Sequence, residues 1–236
     1  MKPLSKLPVL TALCATLGLV CLCVQQWLLT SGVDHKGLLA VGHPGKLFSL
    51  LLLAGVVCIV CLSLKERQVY HFSPTALSAV SMLFFAVGYA YSAWKLFSHR
   101  TQTLTVLAGI FAAVSALCAL LLAFALYRKL RLHPFVYCPP VLFLMLFLVC
   151  RYQQWSSEPE VLRYLFQMLC VVGMLFTAYH RAALEADKKG VLAYLLISRA
   201  TIFCCIAAIP GSLYGVLYGC SAVALLLDGF TVKQGE

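Results

Sequence analysis

An α-helix advances about 1.5 Å per residue, so crossing a hydrocarbon layer about 30 Å thick takes roughly 20 consecutive apolar residues. This chain offers eight such stretches, at about 8–28, 46–64, 74–94, 104–127, 135–152, 160–180, 190–209 and 211–228. That series constrains the fold more than any motif. The loops between the stretches are too short for a soluble domain; the longest runs from about Leu29 to Gly45. With 62% apolar and 11% charged residues among 236, the chain also lacks the polar side chains to cover a water-soluble surface. Disorder, collagen and a small disulfide scaffold are excluded on the same ground. The expected fold class is all-α, a polytopic transmembrane helix bundle of about eight spans.

Prolines mark the helix starts. Pro8, Pro74, Pro134, Pro159 and Pro210 stand where a first turn tolerates a missing N–H. Pro139 and Pro140 interrupt the fifth stretch and the eighth is short, which makes seven spans the alternative count. The apolar run after Met1–Lys6 is too long for a signal peptide, and no small-residue cleavage site follows it; it reads as a retained first span.

Lys and Arg in alternate loops set the orientation. With the N-terminus inside, eleven fall on the inner side (Lys2, Lys6, Lys65, Arg67, Arg128, Lys129, Arg131, Arg181, Lys188, Lys189 and Lys233) and six outside (Lys36, Lys46, Lys95, Arg100, Arg151 and Arg163). Both termini are then cytoplasmic and the bilayer, the cell membrane, is the first partner. Trp27, Trp94 and Trp155 fall at the outer boundary, where indole anchors helices. The net charge of +10 is dispersed over both sides, so a nucleic-acid partner is not expected.

The first and fifth stretches share three tripeptides in order. Pro8-Val9-Leu10, Leu19-Val20-Cys21 and Gln25-Gln26-Trp27 answer Pro140-Val141-Leu142, Leu148-Val149-Cys150 and Gln153-Gln154-Trp155. Ser115-Ala116 with Ala119–Leu122 echoes Ser221-Ala222 with Ala224–Leu227. The expectation is a duplication: two parallel four-helix repeats, residues 1–130 and 131–236, in one membrane domain.

Polar residues inside spans are costly and tend to be functional. Arg199 lies roughly 13 Å into the seventh stretch, near the midplane, and Asp228 is the partner expected from depth. Gln167 and Arg163 form an i, i+4 stripe. With Gln25, Gln26, Gln153 and Gln154 these are the candidate binding residues. Gly211, Gly215 and Gly219 form a small-xxx-small face suited to close helix packing, within this chain or against a second copy or partner membrane protein.

Catalytic searches return nothing: no nucleophile elbow, no phosphate-binding glycine loop, no acid dyad. Eleven of the twelve cysteines fall within apolar helices, where a thiol packs as a small hydrophobe; the Cys58–Cys61 pair lacks a thioredoxin-like context. Asp34, His35 and His43 share one outer loop and read as solvated polar residues, so neither metal nor cofactor is expected.

The stretch from Arg151 to Lys189, with Gln153-Gln154-Trp155 and Tyr179-His180-Arg181-Ala182-Ala183, resembles uncharacterised multi-pass membrane proteins of anaerobic Gram-positive bacteria. The resemblance implies a membrane bundle and carries no activity. Three function classes follow. A transporter or small-molecule or lipid-binding carrier, non-enzymatic, is favoured by the repeat and the polar set. A structural or regulatory subunit would use the glycine face. An enzyme on lipid-linked substrates would use Arg151, Arg163 and Arg199.

Overall fold

The computed structural model describes residues 6–31, 54–57, 59, 61, 70–72, 76–98, 103–130, 132–155, 161–187 and 190–234. In chain order these form α1 (Lys6–Ser31), β1 (Tyr70–Phe72), α2 (Ala76–Ser98), α3 (Thr103–Tyr127), a 3-10 turn (Pro134–Tyr137), α4 (Cys138–Trp155), α5 (Val161–Asp187), α6 (Val191–Ala207), α7 (Gly215–Gly229) and β2 (Val232–Gln234). Residues 54–57, 59 and 61, in the second expected span, are helical too; the rest of that span lies outside the described residues. Four helices are long and apolar enough to cross a membrane: Val9–Trp27, Ala76–Ser98, Thr103–Tyr127 and Pro134–Gln153. Val191–Ala207 and Gly215–Gly229 are shorter apolar helices.

The prolines of the fifth stretch turn out to start a helix rather than break one. His133 accepts from the Phe135 N–H through its ring nitrogen, the 3-10 turn follows, and α4 begins at Cys138. Pro139 and Pro140 thus sit in the first turn, where no intrahelical N–H bond is lost. The opposite happens at Pro210. It lies in a turn between α6 and α7, and α7 starts only at Gly215. Gly211 is outside the helix, at φ +66°, a conformation that a side chain would strain.

This corrects the glycine face. A Cβ at Gly215 or Gly219 would meet Ile209 of the preceding turn, so those glycines accommodate their own connection. The small residues that let helices approach lie elsewhere. Ala108, Ala112 and Ala116 repeat every fourth residue along α3, and α2 presents Ala79, Ala86 and Ala93; all are buried, and α2 and α3 pack along their length. A Cβ at Gly88 would come within 3.3 Å of Leu217 Cδ1 and 3.5 Å of the Leu217 backbone, which is how α2 also lies close to α7.

Helix α6 is the central element. Every residue from Thr201 to Ala207 is buried, with α1, α5 and α7 packed around it. A helix apolar on all faces belongs inside a bundle, and its 17 residues are walled off from lipid on most sides. The exposed apolar side chains lie on the outer helices, among them Leu19 and Val20 of α1, Leu120 and Leu121 of α3 and Phe176 of α5.

One end of the bundle gathers both extremities of the described chain. Strand β1, before α2, pairs antiparallel with β2, after α7, with His71 opposite Lys233. At the same end Gly229 of α7 abuts Thr11 of α1.

The two halves have different neighbours. Helix α1 lies against α6 and α2 against α7; an axis relating residues 1–130 to 131–236 would demand like contacts of α4 with α2 and of α6 with α3, and the described helices have no comparable packing there. Gln25 of α1 is buried, whereas Gln153, its partner in the tripeptide match, is exposed.

Candidate functional site

The site lies where helix ends meet. Ser78 and Ser81, one turn apart near the start of α2, share a face; Tyr194 is in the first turn of α6; Asp228 is next to last in α7; Arg181 is late in α5. All five are buried, with Asp228 and Arg181 only 1% and 3% exposed. An acid at a helix C-terminus faces the negative end of the macrodipole, so Asp228 depends on donors from other helices.

Those donors are present. Asp228 Oδ2 accepts from Arg181 Nη1 at 2.7 Å and from the Tyr194 hydroxyl at 2.6 Å. Its Oδ1 accepts from Ser78 Oγ at 3.3 Å and from Ser81 Oγ at 3.1 Å; the Ser81 proton is shared with the Ser78 carbonyl. Arg181 Nη2 donates to Ser78 Oγ at 3.0 Å, and the guanidinium lies 5.8 Å from the centre of the Tyr194 ring. One turn further along α5, Glu185 stands 3.7 Å from Arg181 Nε and accepts from the Tyr137 hydroxyl at 2.7 Å. The network joins α2, the 3-10 turn, α5, α6 and α7.

A small half-open cavity lies beside it, with room for a few waters. Arg181, Asp228, Tyr137, Tyr194 and Thr177 line its polar end. Met82, Phe85, Tyr89, Leu122, Met174 and Leu225 form the apolar walls. From the walls a file of rings leads along the bundle: Phe85 to Tyr89 at 6.0 Å, Tyr89 to Phe143 at 5.5 Å, Phe143 to Phe147 at 5.6 Å and Phe147 to Tyr214 at 4.8 Å between centroids.

The file ends at a second polar group. Arg151 lies 5.1 Å from the centre of the Tyr214 ring, and its Nη2 donates to Gln167 Oε1 at 3.4 Å. Tyr91 donates to the Leu213 carbonyl at 3.4 Å beside it.

Of the residues marked in the sequence, Asp228 and Gln167 stand in these groups, with different partners from those expected. Asp228 is paired with Arg181, not with Arg199, because α5 continues past residue 180 and swings Arg181 onto the carboxylate. Arg199 is buried at 1% exposure in α6, and no ion pair between it and Asp228 is formed. Gln167 is buried and takes Arg151. The side chains of Arg163, Gln154 and Trp155 lie outside the described residues, as does the loop of Asp34, His35 and His43. Gln25 is buried, with no hydrogen-bond partner for its Oε1 among the described residues, while Gln26 is exposed. Trp27 and Trp94 are exposed at 55% and 60%, and Lys95 sits 5.2 Å from the Trp94 ring centre.

By sequence alone Arg181 falls in an inner loop. Its i, i+4 spacing to Glu185, and the i, i+3 spacing of Ser78 and Ser81, were the available signals for this site. Compared with known proteins, the chain matches no family model, no curated protein and no solved structure.

Proposed function

We propose that this protein is a non-enzymatic, multi-pass membrane carrier or transporter that holds a small molecule in the cavity beside Arg181 and Asp228. The carrying observation is that cavity: an apolar, aromatic chamber inside a helix bundle with a fixed ion pair at one end. Ligand sites are concave and mostly apolar with a few convergent polar groups, as this one is. Buried charges within membrane-spanning bundles mark substrate pathways more often than plain packing.

The topology proposed is eight spans with both termini cytoplasmic, in the cell membrane. Helix α1 starts at the Asp228 end and β1 resumes at that same end, which supports a return crossing by 46–64. The duplication enters as common ancestry of the halves rather than as a symmetry axis through the site. A packing subunit is the weaker reading, since Gly215 and Gly219 are turned onto their own chain.

The test is occlusion. Ala178 lines the cavity and is half-buried. A thermal-shift screen of small cations, anions and neutral solutes on purified protein in nanodiscs is expected to yield stabilising compounds, and Ala178→Trp is expected to abolish their effect. Stabilisation that persists in Ala178→Trp, or a screen with no stabilising compound, refutes the reading.

A further inference from the structure

We infer that Cys170 of α5 and Cys205 of α6 are a disulfide-forming pair, oxidised by hydrogen peroxide, that ties the two helices together inside the bundle. The pair stands apart from the binding role of the cavity. Its placement follows from helix register. The two helices run antiparallel and meet along one seam: Arg181 stands against the Tyr194 ring, Gly173 leaves no room for a side chain beside Thr201, and Cys170 faces Cys205. Each step back along α5 is matched by a step forward along α6. Cys170 and Arg181 are eleven residues apart, as are Tyr194 and Cys205, which is about three turns and returns each pair to one face of its helix. The thiols are therefore set opposite each other by the same packing that sets Arg181 against Tyr194.

Both thiols are fully buried, and their sulfurs stand 3.1 Å apart. A disulfide bond is about 2.05 Å long, so an approach of about 1 Å closes it. Burial selects the oxidant. A disulfide the size of oxidised glutathione cannot reach either sulfur, whereas hydrogen peroxide is neutral and little larger than water. Met174, one turn on from Cys170, lines the cavity that has room for a few waters, which sets a peroxide-sized space one turn from the sulfur. In the first step one sulfur gives up its proton and attacks a peroxide oxygen. The O–O bond breaks, a sulfenic acid forms, and the departing hydroxide takes the proton as water. In the second step the other sulfur attacks the sulfenic sulfur, whose hydroxide leaves with the second thiol proton as water. Two electrons pass from the sulfurs to the peroxide. Apolar surroundings disfavour the thiolate, so the first step is slow, and the same burial then shields the bond from thiol reductants.

In the test, the full chain in nanodiscs is treated with hydrogen peroxide, unfolded in N-ethylmaleimide, digested and mapped by fragmentation mass spectrometry, which separates Cys205 from the adjoining Cys204. A Cys170–Cys205 linkage is expected. Cys170→Ala and Cys205→Ala should abolish it, and Cys204→Ala should keep it; where a variant fails to fold, the map of the parent chain decides. The linkage should survive dithiothreitol added to the folded protein and be lost when the same reductant follows unfolding. Free Cys170 and Cys205 after the exposed Cys23 and Cys138 have been oxidised overturn the proposal. So does a linkage of either to Cys21 or Cys204, or their separate oxidation to sulfinic acids. Ready reduction in the folded protein overturns the buried bond.

Discussion

Both ends of the aromatic file hold an arginine, and the two are compensated in different ways. At one end Arg181 is almost fully buried and meets a carboxylate at 2.7 Å, with hydroxyls on both partners. At the other, Arg151 is half-buried, and among the described residues it leans on an amide oxygen and a ring face. The difference follows burial. A guanidinium removed from water needs an opposite charge, since the desolvation penalty is several kcal/mol per ion. One that reaches the boundary keeps part of its hydration and is positioned by softer contacts. The first end is thus an electrostatic joint among helices, and the second a clasp nearer the boundary.

Breaking the joint gives the largest effect. Arg181→Met leaves a carboxylate with neutral donors among the described residues, and Asp228→Leu takes from the guanidinium its shortest ion pair. Removal of one member of a buried pair costs about 3–5 kcal/mol, so each single variant should lose most of its folded yield in detergent. The double variant Arg181→Met with Asp228→Leu should recover a large part of that loss, because no buried charge of the pair remains. If the double variant is as unstable as the two single losses added, the pair is not coupled and the contrast between the ends disappears.

The clasp is expected to yield much less. Arg151→Met removes the ring contact and the bond to Gln167, and leaves no carboxylate unpaired among the described residues. Its cost should be about 1 kcal/mol, the scale of a partly solvated cation–π contact. Thermal unfolding in nanodiscs compares it directly with the Asp228 and Arg181 variants. A loss as large as theirs would mean that the outer arginine is as structural as the inner one.

The sequence exposed the class of fold and most helix positions, because a spanning helix writes its length and apolarity directly into the chain. Start signals were legible at Pro134, which opens the 3-10 turn, but Pro139 and Pro140 read as an interruption although they lie in a first turn, and Pro210 read as a start although it belongs to a connection. Asp228 and Gln167 were legible as polar residues at depth. Their partners were not, since depth along a helix says nothing of its rotation or neighbours. Arg181 was hidden for a related reason. A polar run such as Tyr179-His180-Arg181 looks like a helix end, yet α5 runs on to Asp187 and keeps Arg181 and Glu185 on one face. The cavity was out of reach altogether, because a void is set by side chains from several helices at once.

The smallest expected effect lies in the turn near Tyr214, and it separates the two meanings of a glycine in this bundle. Gly219 is within α7, and a Cβ there would find Ile209 Cδ1 at 3.8 Å, an ordinary contact. Gly173 of α5 is the counter-example: a Cβ there would stand 2.5 Å from Thr201 Oγ1, which is itself bonded to the Ile197 carbonyl at 2.8 Å. Gly219→Ala adds one methyl group without a clash and removes the backbone freedom that makes glycine a poor helix former, a difference of up to about 1 kcal/mol in a helix interior. The variant should therefore match or slightly exceed the parent in thermal stability. Such tolerance is what a loosely held end predicts. A marked loss in Gly219→Ala would instead show that a helix approaches α7 closely at this face, restoring the small-residue stripe of Gly215 and Gly219 as an interface and making the second end as tightly built as the first.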